Sequence, residues 1–219
     1  MASLDRSAAE RLFQGFLQLL HRPPSETEKL LFDRYLTIMV RWNRISRLTA
    51  YKSRDEIVQK LFLDSLLFLE VLPKDHSPLL DLGSGAGIPG IPLKIVEPSL
   101  ALTLLESQRR RTSFLAAAVR ELALENVQVV HGRGEKLIKE NPKVSESFQA
   151  VTARAAGPLE AVISLACQLL KPGGTMVISG APASGSPPPR LPDPKGQWKS
   201  RPRIPHRGAR QFFVMQKPG

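Results

Sequence analysis

Leu79-Leu80-Asp81-Leu82-Gly83-Ser84-Gly85-Ala86-Gly87 decides how the rest of this sequence is read. A short, mostly apolar run ends at glycines in alternate positions. Such a turn lets the backbone approach a ligand without interference from Cβ atoms. In a doubly wound sheet it lies at the carboxyl edge of the strands, where ligands bind. The dinucleotide fingerprint GxGxxG would need a glycine at Ile88. The spacing is GxGxG instead, which disfavours a pyrophosphate cradle and an NAD-dependent oxidoreductase.

Downstream, apolar runs alternate with helical patterns. Leu100 to Leu105 reads as a second buried strand ending at Glu106, where a carboxylate can accept both hydroxyls of a ribose. Ser107 to Leu124 reads as a helix with Ser107 as its N-cap candidate and the stripe Phe114, Leu115, Ala118 and Leu122. Val127–Val130, Ala150–Ala153 and Thr175–Ser179 read as further strands, with a helix over Leu159–Leu170. Pro89 and Pro92 suit the first turn of a helix, where a missing N–H costs little. The alternation predicts an α/β fold: a Rossmann-like, doubly wound parallel sheet covered on both faces.

Upstream, the chain is helical. Ser25-Glu26-Thr27-Glu28 is a capping box, followed by Leu31, Tyr35, Ile38, Met39, Trp42 and Ile45 at helical spacing. Ser53 and Glu56 repeat the box and open a helix carrying Ile57, Leu61, Leu66 and Leu69, stopped near Pro73. Residues 1–76 therefore read as a helical extension and 77–180 as the sheet domain. Residues 181–219 read as a proline-rich tail, with one strand candidate at Gln211–Gln216.

The formal charge of the 219 residues is +11. Residues 181–219 hold 8 basic and 1 acidic side chains and nine of the 19 prolines, so most of the excess sits in the tail. That charge would attract a polyanion such as RNA. The single cysteine, Cys167, lies in an apolar stretch and reads as a core thiol in a reducing compartment. No apolar run approaches the roughly 20 residues that span a bilayer. Asp5, Arg6, Glu10 and Arg11 interrupt any signal-peptide pattern. The expectation is a soluble, cytoplasmic monomer that uses no metal.

The run Asp81 to Leu93 resembles the cofactor loop of the bacterial small-subunit (16S) ribosomal RNA guanine-N7 methyltransferase G family, also called glucose-inhibited division protein B. The likeness extends over roughly residues 30–180. Trp42-Asn43 with Leu48-Thr49, and Phe62-Leu63-Asp64-Ser65-Leu66, are similar to the family's N-terminal motifs. Glu106-Ser107 with Arg110, His131 to Glu135, Val151 to Ala155 and Leu170 to Gly174 follow in the family's order. The chain departs from the usual pattern at Arg47 (Asn), Leu61 (His), Ile88 (an aromatic), Gly134 (Ala) and Ser179 (Lys).

The resemblance implies a class I S-adenosyl-L-methionine methyltransferase acting on ribosomal RNA or the small ribosomal subunit. It places cofactor contacts on Gly83, Ile88, Glu106, Ser107, Gln108, Gly134, Glu135 and Arg154. Guanine N7 carries a lone pair and no proton, so this chemistry needs no general base. Arg133 and Arg154 are candidate positioning residues, because a guanidinium forks onto guanine, phosphate or carboxylate acceptors. His131 reads as a strand-end residue. A small-molecule or protein acceptor, or a methyltransferase-like module that binds RNA without turnover, are the competing readings.

Overall fold

A computed structural model of the chain describes residues 6–154, 157–180, 197–202 and 209–219, with backbone alone for 197–202 and 209–211. Helices α1 (Arg6–Leu20) and α2 (Glu26–Ser46) open the chain. The capping box predicted at Ser25 forms: its hydroxyl accepts from the Glu28 amide at 3.2 Å, and Glu28 accepts from the Ser25 amide at 2.7 Å. Helix α1 was not singled out by the sequence reading. It packs Ala8, Leu12 and Phe16 inward.

The helix expected after Ser53 starts at its capping box but is not uniform. It runs as α3 (Arg54–Ile57), a π-helical turn (Val58–Leu63), α4 (Asp64–Leu66) and a final 3₁₀ turn (Leu67–Glu70). The Ser65 hydroxyl donates to the Leu61 carbonyl at 2.6 Å within this altered stretch. Local spacing carries no sign of the widening, because a π-turn is set by what its side chains meet in the tertiary structure.

The sheet follows as β1 (Leu79–Leu82), β2 (Leu102–Glu106), β3 (Val127–His131), β4 (Phe148–Arg154) and β5 (Leu170–Ser179). Helices α5 (Gly90–Val96), α6 (Arg109–Glu121), α7 (Gly134–Glu140) and α8 (Leu159–Leu169) connect these strands. Strands β6 (Gln197–Pro202) and β7 (Ala209–Gln216) complete a seven-stranded sheet in the order β3-β2-β1-β4-β5-β7-β6. The first five strands are parallel, and β7 runs antiparallel to both β5 and β6. β6 was not foreseen, whereas Gln211–Gln216 lies within β7. β5 begins five residues before the predicted Thr175, where Leu170 pairs with Phe148 across an irregularity in register.

Alternation along the strands serves two apolar cores. Leu79, Leu102 and Leu104 join the first, with Phe16, Phe32, Tyr35 and Phe62 of the N-terminal helices and Phe114 of α6. Leu80, Leu82 and Leu105 join the second, with Val162, Ile163, Leu165, Ala166 and Leu169 of α8. Cys167 is only partly buried against that second core. Each fully buried aromatic or leucine contributes on the order of 2 kcal/mol by leaving water. The helices before β1 thus share a core with the sheet and reach its carboxyl edge.

Candidate cofactor site at the carboxyl edge

The glycine turn is built as the sequence predicts. Gly83, Gly85 and Gly87 have φ of 71°, 57° and 78°, a region where a side chain is strained. Gly83 and Ser84 donate to the Leu105 carbonyl at 2.9 and 3.0 Å, and Gly87 donates to the Ser84 carbonyl at 2.7 Å. Beneath the turn Asp81 is fully buried. Its carboxylate accepts from the Gly90 amide at 3.1 Å and the Thr152 hydroxyl at 3.2 Å. Burial pushes its pKa up to about 7, and the charge of Glu106 acts in the same direction.

Glu106 ends β2 with 4% of its surface exposed. One carboxylate oxygen accepts from the Gly85 amide at 2.8 Å, and the other from the Gln108 amide at 2.7 Å. The acid therefore braces both the glycine turn and the entrance to α6. A carboxylate oxygen has two lone-pair directions, so each can also accept a ribose hydroxyl. Ser107 was expected to cap α6; the capping position is Gln108, and its side chain makes no capping bond. The Ser107 carbonyl instead takes a hydrogen bond from His131 Nε2 at 3.1 Å.

A cavity of about 370 Å³ opens beside these strand ends. Of the predicted residues, Gly83, Ser107, Gly134 and Glu135 line it, together with Arg133. Its apolar wall comes from Leu82, Leu105, Val162 and Leu165, none of them expected from motif reading. That volume suits a nucleoside-sized ligand, with an apolar wall for a base and strand-end polar groups for a sugar. Gly134 explains one departure from the family pattern. A Cβ there would lie 2.3 Å from Leu165 Cδ2, so the leucine of α8 occupies the space of the usual alanine methyl.

The other predicted residues do not line this cavity, and Glu106 is among them: it stands beside it, turned to the Gly85 and Gln108 amides. Ile88 is buried in the core shared with the N-terminal helices. Gln108 contributes its backbone to Glu106 while its side chain faces solvent. Arg154, at the end of β4, donates to the Lys60 carbonyl at 3.0 Å and pairs with Asp64 at 3.3 Å. It is four-fifths buried, so it links the π-turn region to the strand end next to the glycine turn. Ser179 is paired with Arg154 in register and buried. Leu61, in place of a histidine, packs into the core. Arg47 closes α2 in the left-handed conformation (φ 45°), which the family's usual asparagine adopts more readily. Among the described residues no cluster of His, Cys, Asp or Glu has metal-ligand geometry.

One polar contact to the turn comes from outside the sheet domain and carried no sequence signal. Tyr35 of α2 is fully buried and its hydroxyl donates to the carbonyl of Ala86. Tyr35 fits the apolar stripe of α2, and periodicity alone cannot tell a core tyrosine from one whose hydroxyl has a polar task.

Comparison with known proteins agrees with this architecture. Among solved structures, the O-methyltransferase TomG of Streptomyces achromogenes, determined in complex with S-adenosylmethionine, superposes with a TM-score of 0.60 at 17% identity, covering 96% of this chain and 99% of that one. An S-adenosylmethionine-dependent methyltransferase of Aquifex aeolicus gives 0.55 at 16% identity, covering 78% and 97%. These likenesses establish the class I methyltransferase fold. By sequence, the chain is 38% identical over 147 residues to the ribosomal RNA small subunit methyltransferase G of Caldanaerobacter subterraneus subsp. tengcongensis, covering 67% of this chain and 61% of that one. The protein of the same name from Streptococcus pneumoniae serotype 19F is 33% identical over 169 residues, covering 76% and 71%. The family model described as rRNA small subunit methyltransferase G matches residues 28–182, which takes in most of the α2 helix, the glycine turn, Glu106 and the cavity wall. On that match, the chain belongs to the rRNA small subunit methyltransferase G family.

Proposed function

We propose that this protein transfers a methyl group from S-adenosyl-L-methionine to N7 of a guanine in small-subunit ribosomal RNA. The observation that carries the reading is the joined pair of strand ends, the Gly83–Gly87 turn and Glu106, beside a nucleoside-sized cavity. Family membership and the relatives' names supply the RNA acceptor. Bound there, S-adenosylmethionine supplies an electrophilic methyl on a sulfonium. Guanine N7 would attack that methyl carbon as the carbon–sulfur bond breaks, with the bond electrons left on sulfur, so this chain's residues would need to move no proton.

The protein's work is then placement. Glu106 holds the ribose side, with the turn approaching through its backbone. The apolar wall of Leu82, Leu105, Val162 and Leu165 would take the base and exclude water, with Gly134, Glu135 and Arg133 at its border. Catalysis rests on holding N7 in line with the methyl at near-attack distance. Residues 1–76, 77–180 and 181–219 would act as helical extension, methyl-transfer domain and RNA-attracting tail. We take the protein to act as a cytoplasmic monomer; among the described residues no helix is long and apolar enough to cross a membrane.

The test is incubation with cofactor labelled in its methyl group and small-subunit particles or their naked RNA, followed by mapping of the modified base. Label at guanine N7 supports the reading. Label at an oxygen, an exocyclic amine or a protein would replace it. His131→Ala should leave the single-turnover rate within a few-fold, since its imidazole is occupied with the Ser107 carbonyl.

A further inference from the structure

The Ala86–Gly87 peptide is held from two sides, its N–H by the Ser84 carbonyl at 2.7 Å within the turn and its C=O from outside the sheet domain. The amides of Gly83, Ser84, Gly85 and Gly87 all donate to groups within residues 77–180, at 2.7–3.0 Å. The Ala86 carbonyl instead accepts from Tyr35, which arrives on α2 from the N-terminal helices. Gly87, next in sequence, has φ 78°, and its own amide, the N–H of that same peptide, is bonded to the Ser84 carbonyl, so the Tyr35 bond is the second anchor of the plane.

Tyr35 itself is firmly held. Its ring stacks on Phe62 of the π-turn at 4.9 Å with 13° between planes, and Phe62 meets Phe32 at 5.3 Å. The hydroxyl also lies 3.0 Å from where a Cβ on Gly87 would stand, so ring and turn are in close contact. Burial, aided by the charge of Asp81, raises the pKa of the phenol well above its ordinary value. It remains a donor throughout the working pH range. Without the O–H, the Ala86 carbonyl would be a buried acceptor lacking this partner, and turning it toward another donor would strain the Gly87–Ser84 hydrogen bond on the other side of the same peptide.

We propose that Tyr35 is a positioning residue for the cofactor: its hydroxyl sets the Ala86–Gly87 peptide and preorganises the glycine turn from outside the sheet domain. The inference rests on the cofactor reading above. A preorganised turn binds without spending affinity on its own ordering, so loss of the hydroxyl should weaken cofactor binding more than the chemical step. It also gives the N-terminal helices a role at the site beyond covering the sheet.

The experiment compares wild type, Tyr35→Phe and Phe16→Leu. Phe16→Leu is a stability control in the same core, on α1. Calorimetry with S-adenosylmethionine and S-adenosylhomocysteine gives affinity, thermal unfolding gives stability, and turnover on ribosomal RNA separates kcat from cofactor KM. Tyr35→Phe should raise both dissociation constants and the cofactor KM roughly five- to fiftyfold, the range for one buried hydrogen bond, with kcat within about threefold. Hydrogen exchange across residues 83–91 of the unliganded protein should speed up in the same variant. Phe16→Leu should lower the melting temperature and leave affinity within about twofold, as expected of a core truncation remote from the turn. Wild-type affinity in Tyr35→Phe, or a Tyr35→Phe protein that no longer folds, would overturn the positioning role. A wild type that binds neither cofactor nor product would instead sink the methyltransferase reading itself.

Discussion

Glu106 and Gly85 are joined across the carboxyl edge of the sheet: the last residue of β2 accepts the amide proton of the turn after β1 at 2.8 Å. The acid expected to hold a ribose therefore also shapes the turn proposed to approach the cofactor. Through its second oxygen it orients the Gln108 amide as well.

Glu106→Ala should lose both roles together. Cofactor affinity is expected to fall by about 2–4 kcal/mol in calorimetry, more than a single ribose contact accounts for. Glu106→Gln keeps one acceptor oxygen and should lose about half as much. Equal losses in the two variants would show that bracing of the turn contributes little.

The pair Arg154–Asp64 ties the end of β4 to α4, with the Lys60 carbonyl as a further acceptor. Truncating either partner leaves a mostly buried charge short of its counterpart. Arg154→Ala and Asp64→Ala should each destabilise the fold by roughly 1–3 kcal/mol in urea unfolding. The double variant should cost clearly less than the sum, since the two share one interaction. Additive losses would mean that the two residues act separately. A fall in methyl transfer beyond the stability loss in Arg154→Ala would support its role in placing guanine or cofactor.

Two groups make stability depend on pH in the same direction. His76 is hydrogen-bonded to Glu97 at 2.6 Å, and that partner holds its pKa above the ordinary 6.5 despite burial. A raised folded pKa means stabilisation that is complete below pH 6.5 and lost as pH climbs through the folded value. Asp81, raised by burial from 3.8 to about 7, likewise favours the folded state while protonated and loses that contribution between those values. Urea unfolding at a series of pH values should show His76→Gln flattening the decline above about pH 6.5, and Asp81→Asn flattening it between about 4 and 7. A decline unchanged in both variants would assign it to other groups.

The tail's charge should appear in the salt dependence of RNA binding. Because 197–202 is a strand paired to β7, deleting that whole region would damage the sheet, so neutralisation is the cleaner change. Replacing Arg190, Lys195, Arg203 and Arg207, which lie outside the described residues, by glutamine should shallow the slope of log affinity against log salt. Every phosphate that the tail no longer neutralises should reduce the slope by about 0.7–0.9. An unchanged slope would move the RNA-binding surface to other basic groups, of which the exposed Arg109 and Arg110 at the start of α6 are the first to test.

By itself the sequence determined the parallel part of the sheet and the glycine turn at its carboxyl edge. Alternating strand and helix patterns, glycines where only positive φ serves, and an acid ending β2 are local signals, each readable within a few residues. The placement of Gly83, Glu106, Ser107 and the Gly134–Glu135 step at strand ends on one edge of the sheet was legible for that reason. The cavity's far wall was decided only by tertiary structure: Val162 and Leu165 look like any apolar helix stripe until α8 is laid against β4. The same holds for Gly134, whose missing methyl makes sense only once Leu165 occupies its place. Arg154 meets a carboxylate 90 residues earlier, and Tyr35 meets a carbonyl 51 residues later. Spacing along a chain encodes which face of an element is apolar; it does not encode which distant polar group that face will bring within hydrogen-bonding reach.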